Sequence, residues 1–357
     1  MKVGIVTIFD NNNHGNRLQN YALQQVLLRY TDEVVTMKNK PWYSKKSRLA
    51  RMLPMAESAF FNRLLGMERR ARIVEFTGHH VRLSRDCYWY DKADQAPKKA
   101  DACDLYCAGS DQIWNPTMGR GGSFDYLNFA PTERTFSYAA SFGIDEIPEN
   151  FRATATAGLN HIQHLSVRED AGKKIVEELT GRTDAQVLVD PTMLLTCQEW
   201  DRVIAKPKAL VPENYVLTYF LGGVSPERRA AVAERAEELG CALVEVMNPD
   251  SPFYAVGPEQ FVWLIKHARY ICTDSFHGSV FSFLYGKPFA VFARMGKGPD
   301  MGSRIKTFMD KFSLQDCAAA GDVLPEYCTG PDYSAGYEAL EAERKKSAAF
   351  LDQVFKG

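Results

Sequence analysis

The stretch that most constrains the fold spans residues 270–294, YICTDSFHGSVFSFLYGKPFAVFAR. Two apolar runs rich in Tyr, Ile, Val and Phe flank a polar knot, Thr273-Asp274-Ser275-Phe276-His277-Gly278-Ser279, and Gly286-Lys287-Pro288 stops the helical run that follows it. The pattern reads as strand, turn, short helix, strand. Units of this kind build α/β domains with largely parallel sheets. The knot falls where a strand ends and a helix begins. Ligands sit there in open α/β sheets, because the strand's carboxyl end and the helix's N–H groups face one crevice. Every polar residue type suited to an anionic substrate is present in the knot except a cation.

The same grammar runs through the rest of the chain. A strand over residues 3–9 leads through Asp10-Asn11-Asn12-Asn13-His14-Gly15-Asn16-Arg17 into a helix expected over 18–29. Arg17 falls in the first turn of that helix, where a cation opposes the macrodipole unless an anion lies nearby. A buried-type strand over 104–108 ends at Gly109-Ser110-Asp111-Gln112-Ile113-Trp114, and another over 134–140 ends at Ser141-Phe142-Gly143. Arg168 lies between a short strand and a helix over 172–179. Gln186-Val187-Leu188-Val189 precedes Asp190-Pro191-Thr192, and Thr196 with Glu199 forms a capping box.

The pattern restarts after Lys206-Pro207-Lys208 and Pro212. A strand over 215–221 is followed by a helix with Ser225 as N-cap and Pro226 at its first position, ending at Gly240. A strand over 242–246, a helix over 258–267 and the knot come next, then a helix from Ser303-Arg304-Ile305 to about Phe312 and an amphipathic helix over 336–355. The expected organisation is an N-terminal α/β domain over 1–205 and a C-terminal α/β domain over 206–335. A last helix over 336–357 is expected to pack back on the first domain.

Composition narrows the function classes. The 357 residues exceed what one core usually serves, which favours two domains. A net charge of −1 with 24% charged residues gives no support to wholesale nucleic-acid binding. The eight cysteines form no CxxC pair and several sit in apolar runs, as expected of a reduced, cytoplasmic protein. The first strand's apolar run is too short for a signal peptide, and no run reaches membrane-spanning length. Residues 38–72 carry ten Lys or Arg against two Glu, interleaved with Trp42, Tyr43, Phe60 and Phe61. They read either as a solvated amphipathic insertion or as a patch for a phosphate-bearing or membrane-linked acceptor, with peripheral contact at the inner membrane face. The HExxH, DxD, GxSxG and Walker signatures are all lacking, so metal-free acid–base work with no cofactor is expected.

Each polar turn has an ordinary reading. Trp114 reads equally as core, Arg168 as a partner of Glu169 or Asp170, and a lone histidine such as His277 as a satisfied core residue. What singles out His277 is its place at a strand-to-helix turn, three residues after Asp274.

Six motifs, taken together and in order, resemble the polysaccharide pyruvyl transferase family: NNNHGNRLQNYALQ, CAGSDQIWNP, YAASFG, LSVREDAG, VDPTMLL and TDSFHGSVFSFLYGKPF. The resemblance implies two Rossmann-like domains in a GT-B-like arrangement. It also implies transfer of a pyruvyl group from phosphoenolpyruvate to two hydroxyls of a sugar, in a polysaccharide or its lipid-linked precursor. A cyclic ketal forms and phosphate leaves. His277, Asp111 and Asp274 are then the catalytic candidates. Arg168, Ser275, Gly278, Ser279, Arg304, Arg17, Asn16, His14, Ser110 and Trp114 are the substrate-binding candidates, with no metal. Where many members carry Arg-Leu-His-Gly, this chain carries Ser275-Phe276-His277-Gly278. The donor's cation must come from elsewhere, with Arg168 matching the family's arginine after Ser-Val and Arg304, Arg17 and Arg294 as further candidates. Two other functions stand beside this one. One is a GT-B glycosyltransferase using a nucleotide sugar, with Glu245 as ribose ligand. The other is a non-catalytic sugar-binding relative.

Overall fold

The computed structural model describes residues 1–9, 13–41, 57–91, 96–296 and 302–356, with the backbone alone for 57–65 and 302–303. Much of the basic segment expected over 38–72 therefore lies outside the described residues. The chain divides into two compact units. The first comprises Met1–Leu64, Thr77–Leu194 and Lys345–Gly357, and the second Leu65–Phe76 and Leu195–Arg344. The second unit's main stretch thus begins at Leu195, ahead of the Lys206–Pro212 region.

The first unit is built on a seven-stranded sheet. Its strands in chain order are β1 (Lys2–Val6), β2 (Glu33–Lys40), β3 (Leu83–Trp89), β4 (Leu105–Asp111), β5 (Thr135–Ala140), β6 (Ser166–Val167) and β7 (Gln186–Val187). They lie side by side as β3-β2-β1-β4-β5-β6-β7, every neighbouring pair parallel. The helices are α1 (His14–Leu27), α2 (Glu57–His80, of which Leu65–Phe76 count with the second unit), α3 (Glu149–His161) and α4 (Asp170–Thr180). Helices of βαβ crossovers cover a parallel sheet, so its strands read as unbroken apolar runs. All six residues of β5 are buried. Its Ser137 is satisfied by the next strand: Ser137 Oγ donates to Ser166 O at 2.8 Å, and Ser166 Oγ to Ser137 O at 2.7 Å. The chain moves outward one way from β1 to β3, then the other way from β4 to β7. The reversal leaves a crevice at the carboxyl ends of β1 and β4, the topological switch point.

The second unit repeats the scheme on a smaller scale. Its strands β8 (Tyr215–Tyr219), β9 (Ala242–Glu245), β10 (Tyr270–Thr273) and β11 (Phe289–Val291) are ordered β11-β10-β8-β9, all parallel. The helices are α5 (Cys197–Asp201), α6 (Pro226–Glu238), α7 (Pro258–His267), α8 (Phe276–Leu284), α9 (Gly302–Lys311) and α10 (Ser334–Lys356). The switch point here falls between β8 and β10. Local signals fixed several ends as read from the sequence. Thr196 and Glu199 form the capping box of α5, and Ser225 Oγ accepts from Arg228 N at the start of α6. Helix α7 runs over the expected residues. Helix α8 is mostly apolar and wholly buried, as expected of a helix enclosed by its own domain. Burying Val280, Phe281 and Phe283 contributes about 1.5–3 kcal/mol each.

Among the boundaries that differ from the sequence reading, three bear on the polar turns. Helix α1 begins at His14, four residues early, because the Asn13 side chain accepts from Asn16 N and caps it. Strand β4 runs on to Asp111, because Asp111 N-terminal neighbours still pair with β5, Gly109 opposite Tyr138 and Asp111 opposite Ala140. Helix α4 begins at Asp170, two residues early. The last helix serves both units: residues up to Arg344 count with the second, and within the first Phe355 stacks on Tyr30 at 5.0 Å and meets Phe136 edge-on at 6.1 Å. No described helix is long and apolar enough to cross a membrane.

Cysteine chemistry offers a check on this packing. Cys107 and Cys272 are fully buried, and burial pushes both thiols up from their ordinary value, whereas Cys328 is exposed. Thiolate is the reactive form. Titration of the native protein with a thiol reagent should label Cys328 first and reach Cys107 and Cys272 only on unfolding. Prompt labelling of either buried thiol would contradict the strand placement.

Candidate active site

The carboxyl end of β10 carries the knot. Thr273 Oγ1 donates to Tyr219 O at 2.6 Å and accepts from Ser275 N at 3.0 Å, tying β10 to β8 and shaping the turn. Asp274 is fully buried. Its Oδ1 accepts from Leu221 N at 2.7 Å and its Oδ2 from Gly222 N at 2.8 Å, across the switch point. Arg294 adds positive charge, with Nε 3.6 Å from Asp274 Oδ2 and Nη2 donating to Asp274 O at 3.2 Å. Both carboxylate oxygens are thus engaged in holding the end of β8 beside the end of β10. The geometry gives Asp274 and Arg294 a positioning task.

Ser275 is the N-cap of α8, and its Oγ accepts from Gly278 N at 3.3 Å. The Gly278 N–H expected to face a phosphate is therefore taken by the cap. Ser279 Oγ turns inward and donates to Ser275 O at 3.0 Å. A side chain at Gly278 would bring its Cβ to 2.6 Å from Thr273 Oγ1, so helix and strand approach this closely only with glycine there. His277 is 7% exposed in the first turn of α8, its ring edge-on to Phe276 at 5.3 Å. Arg304, from α9, places its guanidinium over the Phe276 ring at 5.9 Å and is itself buried. A cation from the same unit thus stands beside the histidine turn.

The first unit's switch point carries a second cluster. Asp111 ends β4 with φ 69°, a left-handed backbone that costs a non-glycine residue about 1–3 kcal/mol and persists where surroundings over-determine it. Its Oδ2 accepts from Asn16 Nδ2 at 3.0 Å, which joins α1 to β4, and Arg168 Nη1 lies 3.8 Å from its Oδ1. Arg168 is buried. Its Nη2 meets Asp190 Oδ2 at 2.8 Å and donates to Ser110 Oγ. Asp190, fully buried, also accepts from Thr192 N and Thr192 Oγ1. Arg168 is therefore paired with Asp190 and Asp111, where the sequence suggested Glu169 or Asp170. Glu169 instead accepts through Oε1 from Ser141 Oγ, Phe142 N and Gly143 N, pinning the loop after β5.

Three candidates, Arg17, Ser110 and Trp114, sit in structural roles in the first unit. Arg17 donates to Ile8 O, Asn16 Oδ1 and Asn20 Oδ1, and stands 4.9 Å from the Phe9 ring, so its charge is spread over local carbonyls. Ser110 Oγ donates to Ala139 O at 3.0 Å while accepting from Arg168. Trp114 is fully buried between Tyr126 and Phe142, both 5.3 Å away, with Nε1 donating to Asp125 O. That places its indole in the core rather than at a ligand-facing surface. His14 is fully buried at the start of α1. Glu245, the acceptor a ribose would need, pairs with Arg229 at 3.6 Å and accepts from Asn248 at 3.0 Å. Sequence reasoning missed Asp190 and Glu169. In the sequence Asp190 stands out only as the start of the Asp-Pro-Thr that follows a strand. Among the described residues, no group of three or more His, Cys, Asp or Glu is placed to hold a metal ion.

Two parallel α/β units, each with its polar cluster at a switch point, define a Rossmann-like architecture. Residues 13–294 match the family model for polysaccharide pyruvyl transferase, and the chain belongs to that family of transferases. No curated protein matches the chain. Among solved structures, it is similar to the UDP-GlcNAc 2-epimerase of Neisseria meningitidis bound to UDP-GlcNAc, with 11% identity, 99% of this chain and 94% of that chain covered, and a TM-score of 0.43. The UDP-GlcNAc 2-epimerase of Methanocaldococcus jannaschii shows 10% identity, coverage of 96% and 92%, and a TM-score of 0.45. A transferase from Siraitia grosvenorii in complex with UDP shows 12% identity, coverage of 99% and 95%, and a TM-score of 0.36.

Asp274 gives this site a direct test. In Asp274→Asn one carboxylate oxygen becomes an NH₂ group facing a backbone N–H, donor against donor. Losing a charged, buried acceptor should cost about 2–4 kcal/mol. Urea unfolding should show a clearly lower midpoint. An unchanged midpoint would mean that the carboxylate does not hold the turn.

Proposed function

We propose that this transferase moves a pyruvyl group from phosphoenolpyruvate onto two hydroxyls of a sugar acceptor, forming a cyclic ketal and releasing phosphate. The observation that carries the reading is the family membership, joined to a nearly buried histidine in the first turn of a buried helix at a sheet's switch point. The donor carries a phosphate and a carboxylate, and both call for cationic or N–H partners. The start of α8 supplies the positive end of a helix dipole. Arg304 supplies the cation that Ser275, in its capping role, does not.

The proton balance defines the work to be done. One acceptor hydroxyl proton reaches the vinyl CH₂, which becomes the ketal methyl as C2 gains oxocarbenium character. The other hydroxyl proton leaves with the departing phosphate as the second C–O bond forms. A group that alternates between base and acid serves both steps, and histidine does so near neutrality. His277 is our proposed carrier. Asp111 is the proposed second acid–base group, on the evidence of its own unit: a carboxylate held by Asn16 and Arg168 at a left-handed backbone position. The acceptor is a sugar of a polysaccharide or of its lipid-linked precursor.

Incubation with phosphoenolpyruvate and a panel of sugar acceptors tests this directly. Phosphate release should depend on the acceptor, and the product should gain the mass of one pyruvate ketal. Turnover of a nucleotide sugar with no release from phosphoenolpyruvate under any acceptor would sink the reading. His277→Ala should lower kcat by on the order of 10²-fold or more while leaving the unfolding midpoint in place. A folded variant with near-full activity would remove His277 from the mechanism.

Arg304 makes a separate prediction. Replacing it with Ala should raise KM for phosphoenolpyruvate by roughly tenfold or more, since a charged hydrogen bond to the donor is worth about 1.5–3 kcal/mol. Steady-state kinetics at varied donor concentration would show an unchanged KM if Arg304 only supports Phe276.

A further inference from the structure

Helix α2 is apolar on two faces. One packs inward, with Ile73 and Phe76 buried. The other is in solvent: Met67 is 59% exposed, Val74 is 47% exposed, and Ala71 between them is exposed as well. These three recur at intervals of four and three residues, which keeps them in one row along a helix. The backbone is helical from Glu57, so the same spacing carries the row back to positions 64 and 60, Leu64 and Phe60 in the sequence. A surface helix ordinarily turns one apolar stripe to the core and charge to water. A second apolar row turned to water marks an interaction surface.

The charges along the row select the partner. At 100° per residue Arg70 falls on one flank, and it is exposed. Glu68 and Glu75 are exposed on the other, where Glu75 pairs with Arg72 at 3.2 Å. Residues 38–72 hold ten of the chain's 43 Lys and Arg but only two of its 44 Asp and Glu, in a protein whose net charge is −1. Cationic charge is thus gathered in the part of the chain from which the row starts. A second copy of the chain would bring two such cationic stretches together, and like charges oppose that. A nucleic acid offers charge but no apolar layer for Met67 and Val74. A bilayer surface that contains anionic lipid offers both, acyl chains for the row and headgroup charge for the cations. An arginine in the position of Arg70 lays its methylenes beside the apolar row and its guanidinium among the headgroups.

We infer that α2 docks on the surface of an anionic bilayer, lying in the headgroup plane with the row of Met67, Ala71 and Val74 inserted. The inference does not depend on the donor that the histidine turn takes. Under the reading proposed above, it puts the enzyme on the surface that holds a lipid-linked acceptor.

Co-sedimentation of the full chain with vesicles tests it. The protein should pellet with vesicles of equal parts phosphatidylglycerol and phosphatidylcholine, and should bind pure phosphatidylcholine at least about tenfold more weakly, the difference shrinking as salt rises. Met67→Gln combined with Val74→Gln should weaken binding to the anionic vesicles about tenfold, and Arg70→Gln about fivefold. Unfolding midpoints should stay in place, because all three side chains are exposed. His277→Ala should bind as the parent chain does. Equal binding to pure phosphatidylcholine, no pelleting with the anionic vesicles, or indifference to the double variant would each overturn the inference. So would a dimer in solution that the double variant dissociates while vesicle binding is absent, a result that gives the row to a second copy of the chain.

Discussion

Two backbone N–H groups converging on one buried carboxylate hold the second unit's polar turn in place. At the end of β8 the chain leaves the ladder, and the N–H groups of Leu221 and Gly222 no longer have a strand to pair with. Asp274 accepts both, and Arg294 offsets part of the charge that results. A buried carboxylate is tolerated only when its lone pairs are filled, and these are filled by groups that would themselves be costly to bury alone. The turn that presents His277 is therefore fixed from beneath. Ser275 as cap and Thr273 as a two-way hydroxyl complete the support.

The first unit solves the same problem with different residues. At its switch point the buried charges are an arginine between two aspartates, Arg168 with Asp190 and Asp111. Such a group adds little net stability compared with an apolar core, since desolvation offsets much of the attraction. What it gives is definition: removing one member leaves the others buried without compensation. Around it, Asn16 links the first helix to β4, and Glu169 fixes the loop after β5. In both units the polar groups nearest the crevice are mostly committed to holding strand ends.

This commitment explains what was legible in the sequence and what was not. The strands read clearly because parallel sheets demand apolar runs, and helix ends read well at Ser225, Thr196 and Pro258, where capping chemistry is local. Helix α1 was placed too late because its cap, Asn13, lies in a run of three asparagines that gives no register of its own. Asp111 read as turn because its polar side chain hides that the backbone still belongs to β4. The roles of Asp190 and Glu169, and the choice between core and ligand contact for Trp114, were illegible for a different reason. Each is decided by a partner far along the chain: Arg168 for Asp190, the 141–143 loop for Glu169, and Tyr126 with Phe142 for Trp114. Composition and period carry no information about such pairings. Arg304, one of the four arginines that the sequence offers as a cation for the knot, is set apart from the others only by the packing of α9, which brings it over Phe276.

The division of the last helix has a consequence for how the protein is made. Residues 345–357 belong to the first unit, where Phe355 packs on Tyr30 and Phe136, yet they are synthesised after all of the second unit. As the chain emerges from the ribosome, the first unit cannot complete its surface in order of appearance. Its apolar patch around Tyr30 must wait until the second unit has been translated. During that interval the nascent chain carries an incomplete face, the kind of transient exposure that chaperones recognise.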